Sequence, residues 1–153
     1  MQLDSPYGRE YLQNRIICEF PLARHIGIVV ESAEDSGVVL CAPLALNANY
    51  KGTAFGGSLF CVAVLTGWAW VTHYLAVRQL IADAVIQEST ILYLAPVQGA
   101  LRASLTAPSV ERIEKFGKML QRAGRGRIRL HVDIHYGPAV ATQFDGVFAA
   151  TIR

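Results

Sequence analysis

The sequence predicts an α+β fold in which an antiparallel β-sheet wraps around one long, central, apolar α-helix. Three observations carry that expectation. From Gly56 to Val77 there is no charged side chain, and a helix that is apolar all round must be buried. The segments on either side are β-branched-rich or alternate with period two, as sheet strands do. The chain has 153 residues, 52% hydrophobic and 17% charged, which suits a globular domain with a substantial core rather than a disordered one.

Taken in order, Ser5 to Ile26 carries Tyr11, Ile16, Ile17, Phe20 and Leu22 and predicts a short helix ending near Pro21. Gly27–Ser32 and Val38–Pro43 predict a hairpin, with turn chemistry in the AEDSG between them. A loop over Leu44–Phe55 leads to Gly56-Gly57, and the long helix starts about Ser58. Asp83–Val97 reads as a long strand closed by Pro96, with Gly99–Ala107 as its antiparallel partner after a two-residue turn. Ile113, Phe116, Met119 and Leu120 give Ser109–Ala123 one apolar helical face, with Ser109 as cap. Gly124–Gly137 alternates, with Ile128, Leu130, Val132, Ile134 and Tyr136 on one face. Arg127, Arg129, His131, Asp133 and His135 take the other, and Ala139–Ile152 completes the sheet. The whole, 1–153, reads as one domain with an N-terminal helical segment over 1–26 and an insertion helix over 109–123.

Composition narrows the function classes. A net charge of +2 is too mild to argue for nucleic acid, and no aromatic ladder accompanies the basic residues. Cys18, Cys41 and Cys61 have neither zinc nor disulfide spacing, which suits a reducing cytoplasm; MQLDSPYGRE does not read as a signal peptide. Ala54–Val77 is long enough to span a bilayer, but its glycines, Ser58, Thr66, Thr72 and His73 favour a core helix over a membrane span. One sheet covers only part of such a helix, so a second copy of the chain is expected to close the gap.

The first helical turn has amide N–H groups without intrahelical partners, a ready place for a negatively charged oxygen. The competing reading is that Gly56-Gly57 only permits close packing. The element order, together with Asn49, Gly52-Thr53-Ala54-Phe55-Gly56-Gly57-Ser58-Leu59, Gly67-Trp68, Tyr93-Leu94-Ala95-Pro96-Val97 and Gln143-Phe144-Asp145-Gly146, resembles the hot dog fold. Within that fold it resembles the thioesterase-like family named after the C-terminal domain of YiiD. The resemblance implies acyl thioesters of coenzyme A or acyl carrier protein as partners, a homodimer or dimer of dimers, and no cofactor or metal. Phe55 and Val64 stand where phenylacetyl-CoA-type relatives carry a histidine and an aspartate.

Thioester hydrolysis needs an oxyanion site, an activated water and an acyl slot. The Gly57 N–H is the expected oxyanion donor, beside Gly56 and Ser58, with Asn49 orienting the water or simply holding its own turn. Glu88, if its strand face looks at the helix, is the expected base, with Thr90 on the same water; the competing reading puts Glu88 on the solvent face. The acyl chain is expected along Phe55, Phe60, Val64 and Trp68. Arg125 and Arg127, in a basic run from Lys115 to Arg129, are expected to meet coenzyme A phosphates or an acidic carrier surface. Cys61 and His73 read as structural, and His131, Asp133 and His135 as a wet outer face rather than a metal site. The rival functions are a non-catalytic acyl-CoA or acyl-carrier-binding module and a dehydratase, the latter disfavoured by Phe55 at the place of its histidine.

Overall fold

The computed structural model describes residues 5–153. Its elements are α1 (Arg9–Glu19), α2 (Pro21–Ile26), β1 (Val29–Glu34), β2 (Gly37–Ala42), α3 (Gly56–Val77), β3 (Ala82–Tyr93), β4 (Leu101–Thr106), α4 (Val110–Ala123), β5 (Arg125–Tyr136) and β6 (Ala139–Ile152). The N-terminal segment forms two helices rather than one. Phe20 is extended, and Pro21, which has no N–H to leave unpaired, opens α2 at its first position. Gly27, at φ 72°, ends α2 in the left-handed region.

All six strands form one antiparallel sheet in the order β1-β2-β4-β5-β6-β3. The expected pairing of β3 with β4 is corrected: β3 runs along β6, and β4 lies between β2 and β5. The connection after β3 is no tight turn. Leu94 and Ala95 both donate to the Ala141 carbonyl, and the Val97 carbonyl accepts from Ala54 N–H, so this segment crosses in front of α3 before β4 begins.

Inside the curl lies α3. Its most apolar 18-residue window has a mean hydropathy of 1.5, enough for a membrane span, yet 72% of that window is buried inside the protein. Gly67 lets β6 come close: a Cβ there would lie 2.3 Å from the ring of Phe148, itself fully buried. The strip Phe60, Cys61 and Val64 is only half buried. Further along, the gap between α1 and β3 widens into a cavity of about 590 Å³ lined by Tyr11, Arg15, Trp68, Thr72, Leu75 and Val85 among others. Amphipathic α4 is capped by Ser109, whose hydroxyl accepts from Arg112 N–H at 3.4 Å, and buries Phe116 and Leu120.

The outer face of the sheet is charged and paired. On β5 the His131 ring meets Asp145 through Nδ1 at 3.0 Å and Asp133 through Nε2 at 2.7 Å. Both ring nitrogens are therefore occupied by carboxylates on different sides, and among the described residues no group of three His, Cys, Asp or Glu side chains is placed to hold a metal ion. Burial pulls the imidazole down, but the hydrogen bonds and charges of Asp145 and Asp133 outweigh it and hold His131 above its ordinary pKa. A group that binds its proton more tightly when folded adds stability below its unfolded pKa of about 6.5, and that stability is lost as pH rises through the raised value. Exposure screens the effect and keeps it small. Melting temperature is therefore expected to fall as pH rises above about 6.5 and through the raised value, with the step flattened in His131→Asn.

Candidate active site

The site is built where the Leu44–Phe55 loop delivers the chain into α3. Asn47, 2% exposed, ties the loop to the body by donating from Nδ2 to the carbonyls of Ile26 (2.9 Å) and Pro43 (2.8 Å). Phe55 N–H donates to the Asn47 carbonyl at 2.7 Å, so the entry point of α3 is fixed from both sides. Among the described residues no side chain caps α3, and the first intrahelical bond is from Leu59 N–H to the Phe55 carbonyl. The amides of Gly56, Gly57 and Ser58 are thus left for an incoming oxygen.

Two aromatic rings bracket this start. A Cβ on Gly56 would sit 3.5 Å from the Tyr93 ring, and one on Gly57 would sit 2.4 Å from the Phe55 ring. The Tyr93 hydroxyl donates to the Gly56 carbonyl at 3.1 Å. Beside them lies a cleft of about 310 Å³ lined by Ala54, Gly56, Leu59 and Tyr93 through Val97. Tyr93 was part of the sequence motif but had no role in the sequence reading. What brings it to the mouth is a β-bulge at Gln87, and a bulge has no simple sequence signal.

That bulge also corrects the expected face of Glu88. Ala82, Ala84 and Ile86 pair with Ile152, Ala150 and Phe148, in line with the buried side of β6. Gln87 is the extra residue, so the alternation flips: Ser89, Ile91 and Tyr93 now share the inner side, opposite Gly146, Phe144 and Thr142. Glu88 and Thr90 turn outward with Val147 and Asp145. The Glu88 side chain is 71% exposed and lies 3.8 Å from the Arg129 guanidinium, not in apolar surroundings.

The other expected residues divide. Asn49 holds its own turn: its Oδ1 accepts from Lys51 N–H (2.9 Å) and Thr53 N–H (3.2 Å), and its Nδ2 donates to Thr53 Oγ1 (2.8 Å). Phe60, Val64 and Trp68 lie on one stripe of α3 at i, i+4, i+8, whereas Phe55 stands before the helix with its ring beside Gly57. Trp68, 7% exposed, ends that stripe under an edge-on Phe20 ring and the Arg15 guanidinium. Arg125 and Arg127 are not brought to the mouth within one protomer. They line a separate cavity of about 550 Å³ with Gln87, Met119 and Thr151. Their rows align with Asp83 and Val85, ladder positions far from Tyr93 and roughly 30 Å along the strand. Cys61 is half buried and burial pushes its thiol up, away from a reactive thiolate.

A family model described as "Putative thioesterase (yiiD_Cterm)" matches residues 9–152. The chain belongs to this YiiD C-terminal family. Its fold is the hot dog fold shared by solved structures of similar proteins. One, a protein of unknown function from Chlorobaculum tepidum TLS, is 29% identical with a TM-score of 0.91, covering 95% of this chain and 94% of that one. A second, described as a "putative thioesterase" from Shewanella oneidensis, is 27% identical with a TM-score of 0.84, covering 95% and 97%. A "probable thioesterase" from Pseudomonas aeruginosa has the same fold at 19% identity, TM-score 0.82, with both chains fully covered. In this family member the helix entry at Gly56 to Ser58 lies inside the matched span, and among the described residues its amides are left uncapped.

Proposed function

We propose that the chain is an acyl-thioester hydrolase, acting on thioesters of coenzyme A or an acyl carrier protein, with the Gly57 N–H receiving the carbonyl oxygen as it gains charge. The observation that carries this is the uncapped start of α3 beside an apolar cleft, in a thioesterase family. The acyl chain runs from the mouth along Phe60 and Val64 toward Trp68.

The working unit is a homodimer through β3. This strand is a sheet edge with Val85, Leu92 and Tyr93 more than half exposed, a surface that otherwise invites aggregation. Antiparallel pairing with the same edge of a second copy brings the partner's first half of β3 alongside this protomer's mouth. The partner's basic cavity then lies on the side where the carrier's phosphates emerge. Replacing both Val85 and Leu92 by Lys is expected to yield monomers by sedimentation and to lose most activity; dimers that persist in that variant would move the interface elsewhere.

One observation favours the second reading, a non-catalytic acyl-binding module: the lining of the mouth holds no carboxylate or imidazole. A panel of acyl-CoA and acyl-carrier thioesters with a thiol-reporting dye separates the two. Turnover establishes the hydrolase, and saturable binding without thiol release establishes the module.

A further inference from the structure

The loop that leads into α3 ends in a tip that folding does not explain. Tyr50 is 93% exposed, and Lys51 beside it places its Nζ 5.6 Å from the Tyr50 ring centroid. This tip is not a loose one. The three hydrogen bonds of the Asn49 side chain close the turn, Asn49 N–H donates to the Thr53 carbonyl at 2.7 Å, and Gly52 N–H donates back to the Asn49 carbonyl at 3.0 Å. Gly52, at φ 78°, supplies the left-handed step the turn needs. The base of the tip is pinned where Ala48 bridges Ala54 and Ala54 N–H meets the Val97 carbonyl, one residue before Phe55 and the mouth. A rigid turn therefore holds an aromatic face and an ammonium in water, at most about 14 Å of chain beyond Ala54.

We propose that Tyr50 and Lys51 form a platform for the adenine and phosphate end of coenzyme A, so that free CoA thioesters, rather than carrier-protein thioesters, are the ligands of this mouth. The inference rests on the reading of the site as one for acyl thioesters, and it names their carrier. Stacking suits a flat base because every base presents a π-face, and an ammonium next to that face meets the phosphate charge. A carrier protein's phosphopantetheine arm brings no base to stack. Asn49 is then a positioning residue for the platform.

The test is calorimetric titration of the 153-residue chain with CoA and, separately, with pantetheine, which lacks the nucleotide. The wild-type chain is expected to prefer CoA, and Tyr50→Ala to lose that preference by about tenfold or more, the scale of one base–aromatic stack. Lys51→Ala is expected to weaken CoA more than CoA lacking its 3′-phosphate, and in turnover both variants raise KM for an acyl-CoA while kcat holds. Equal binding of CoA and pantetheine by the wild-type chain would overturn the proposal. So would a preference untouched by Tyr50→Ala, or a Tyr50→Ala chain that changes oligomeric state, since Tyr50 would then belong to the contact with a second copy. Tyr50-dependent CoA binding without thiol release supports the platform and removes the hydrolase. Carrier-thioester turnover without CoA binding does the reverse.

Discussion

Gly57→Val is expected to lower kcat/KM on any thioester the chain hydrolyses by about 10²–10³, the range seen when an oxyanion-hole donor is lost. Melting temperature should change little. The two effects separate because of what surrounds the new side chain. A Cβ at this position would meet Phe55 Cε1 at 2.4 Å, too close to tolerate. Phe55 is 57% exposed, so its ring can swing outward and stability is spared. The displaced ring then stands in the approach to the Gly57 amide, and the new side chain itself obstructs the carbonyl. Gly56→Ala is the contrast: its Cβ would make ordinary contact with Tyr93 at 3.5 Å, and it should lose far less. Steady-state kinetics beside thermal melting reads both. A Gly57→Val chain with wild-type turnover would place the reacting carbonyl elsewhere.

Stability should be most sensitive at the seam between α3 and β6. Phe148→Ala is expected to cost about 3–5 kcal/mol, the usual penalty for emptying a buried phenylalanine site. Gly67→Ala should cost about 1–3 kcal/mol although alanine is the better helix former by about 1 kcal/mol, because overpacking here outweighs propensity. A Cβ would lie 2.3 and 2.5 Å from two atoms of a ring that is fully buried and has no room to move. In the double variant the alanine methyl enters space the phenyl ring vacates. Its cost should fall short of the sum of the singles by about 0.5–3 kcal/mol, the coupling typical of residues in contact. Denaturant unfolding of the four chains measures this, and simple additivity would mean the two residues do not share the space.

The long helix was legible because twenty-two residues without charge must leave water, and 72% of its most apolar window is buried inside the protein. The alternation of β5 was equally plain, and its outward Arg127, Arg129 and His131 lie where period two puts them. Strand order was less so. Gly99 suggested a tight reversal, whereas the backbone after Tyr93 bonds to Ala141 and Ala54 instead, a choice made by distant partners. The site divided for the same reason. The glycine-rich helix entry is a local signal and was found at once. The facing of Glu88 depends on one bulged residue, and the distance from Arg125 to the mouth depends on register along two strands. Neither is written in any short window of sequence.

The spare residue at Gln87 works as a sorting device. Upstream of it, β3 gives its small and branched side chains to the helix; downstream, parity inverts, and Tyr93 takes the helix side of the strand with its hydroxyl on the Gly56 carbonyl while a carboxylate is sent to water. Excising that single position would change nothing in this respect: Glu88 would follow Ile86 directly, still opposite Val147 and still turned to water. Pairing Gln87 in register instead would turn Glu88 and Thr90 toward α3 at the expense of Tyr93, so one step of register, as much as the identity of its residues, decides which chemistry this scaffold presents.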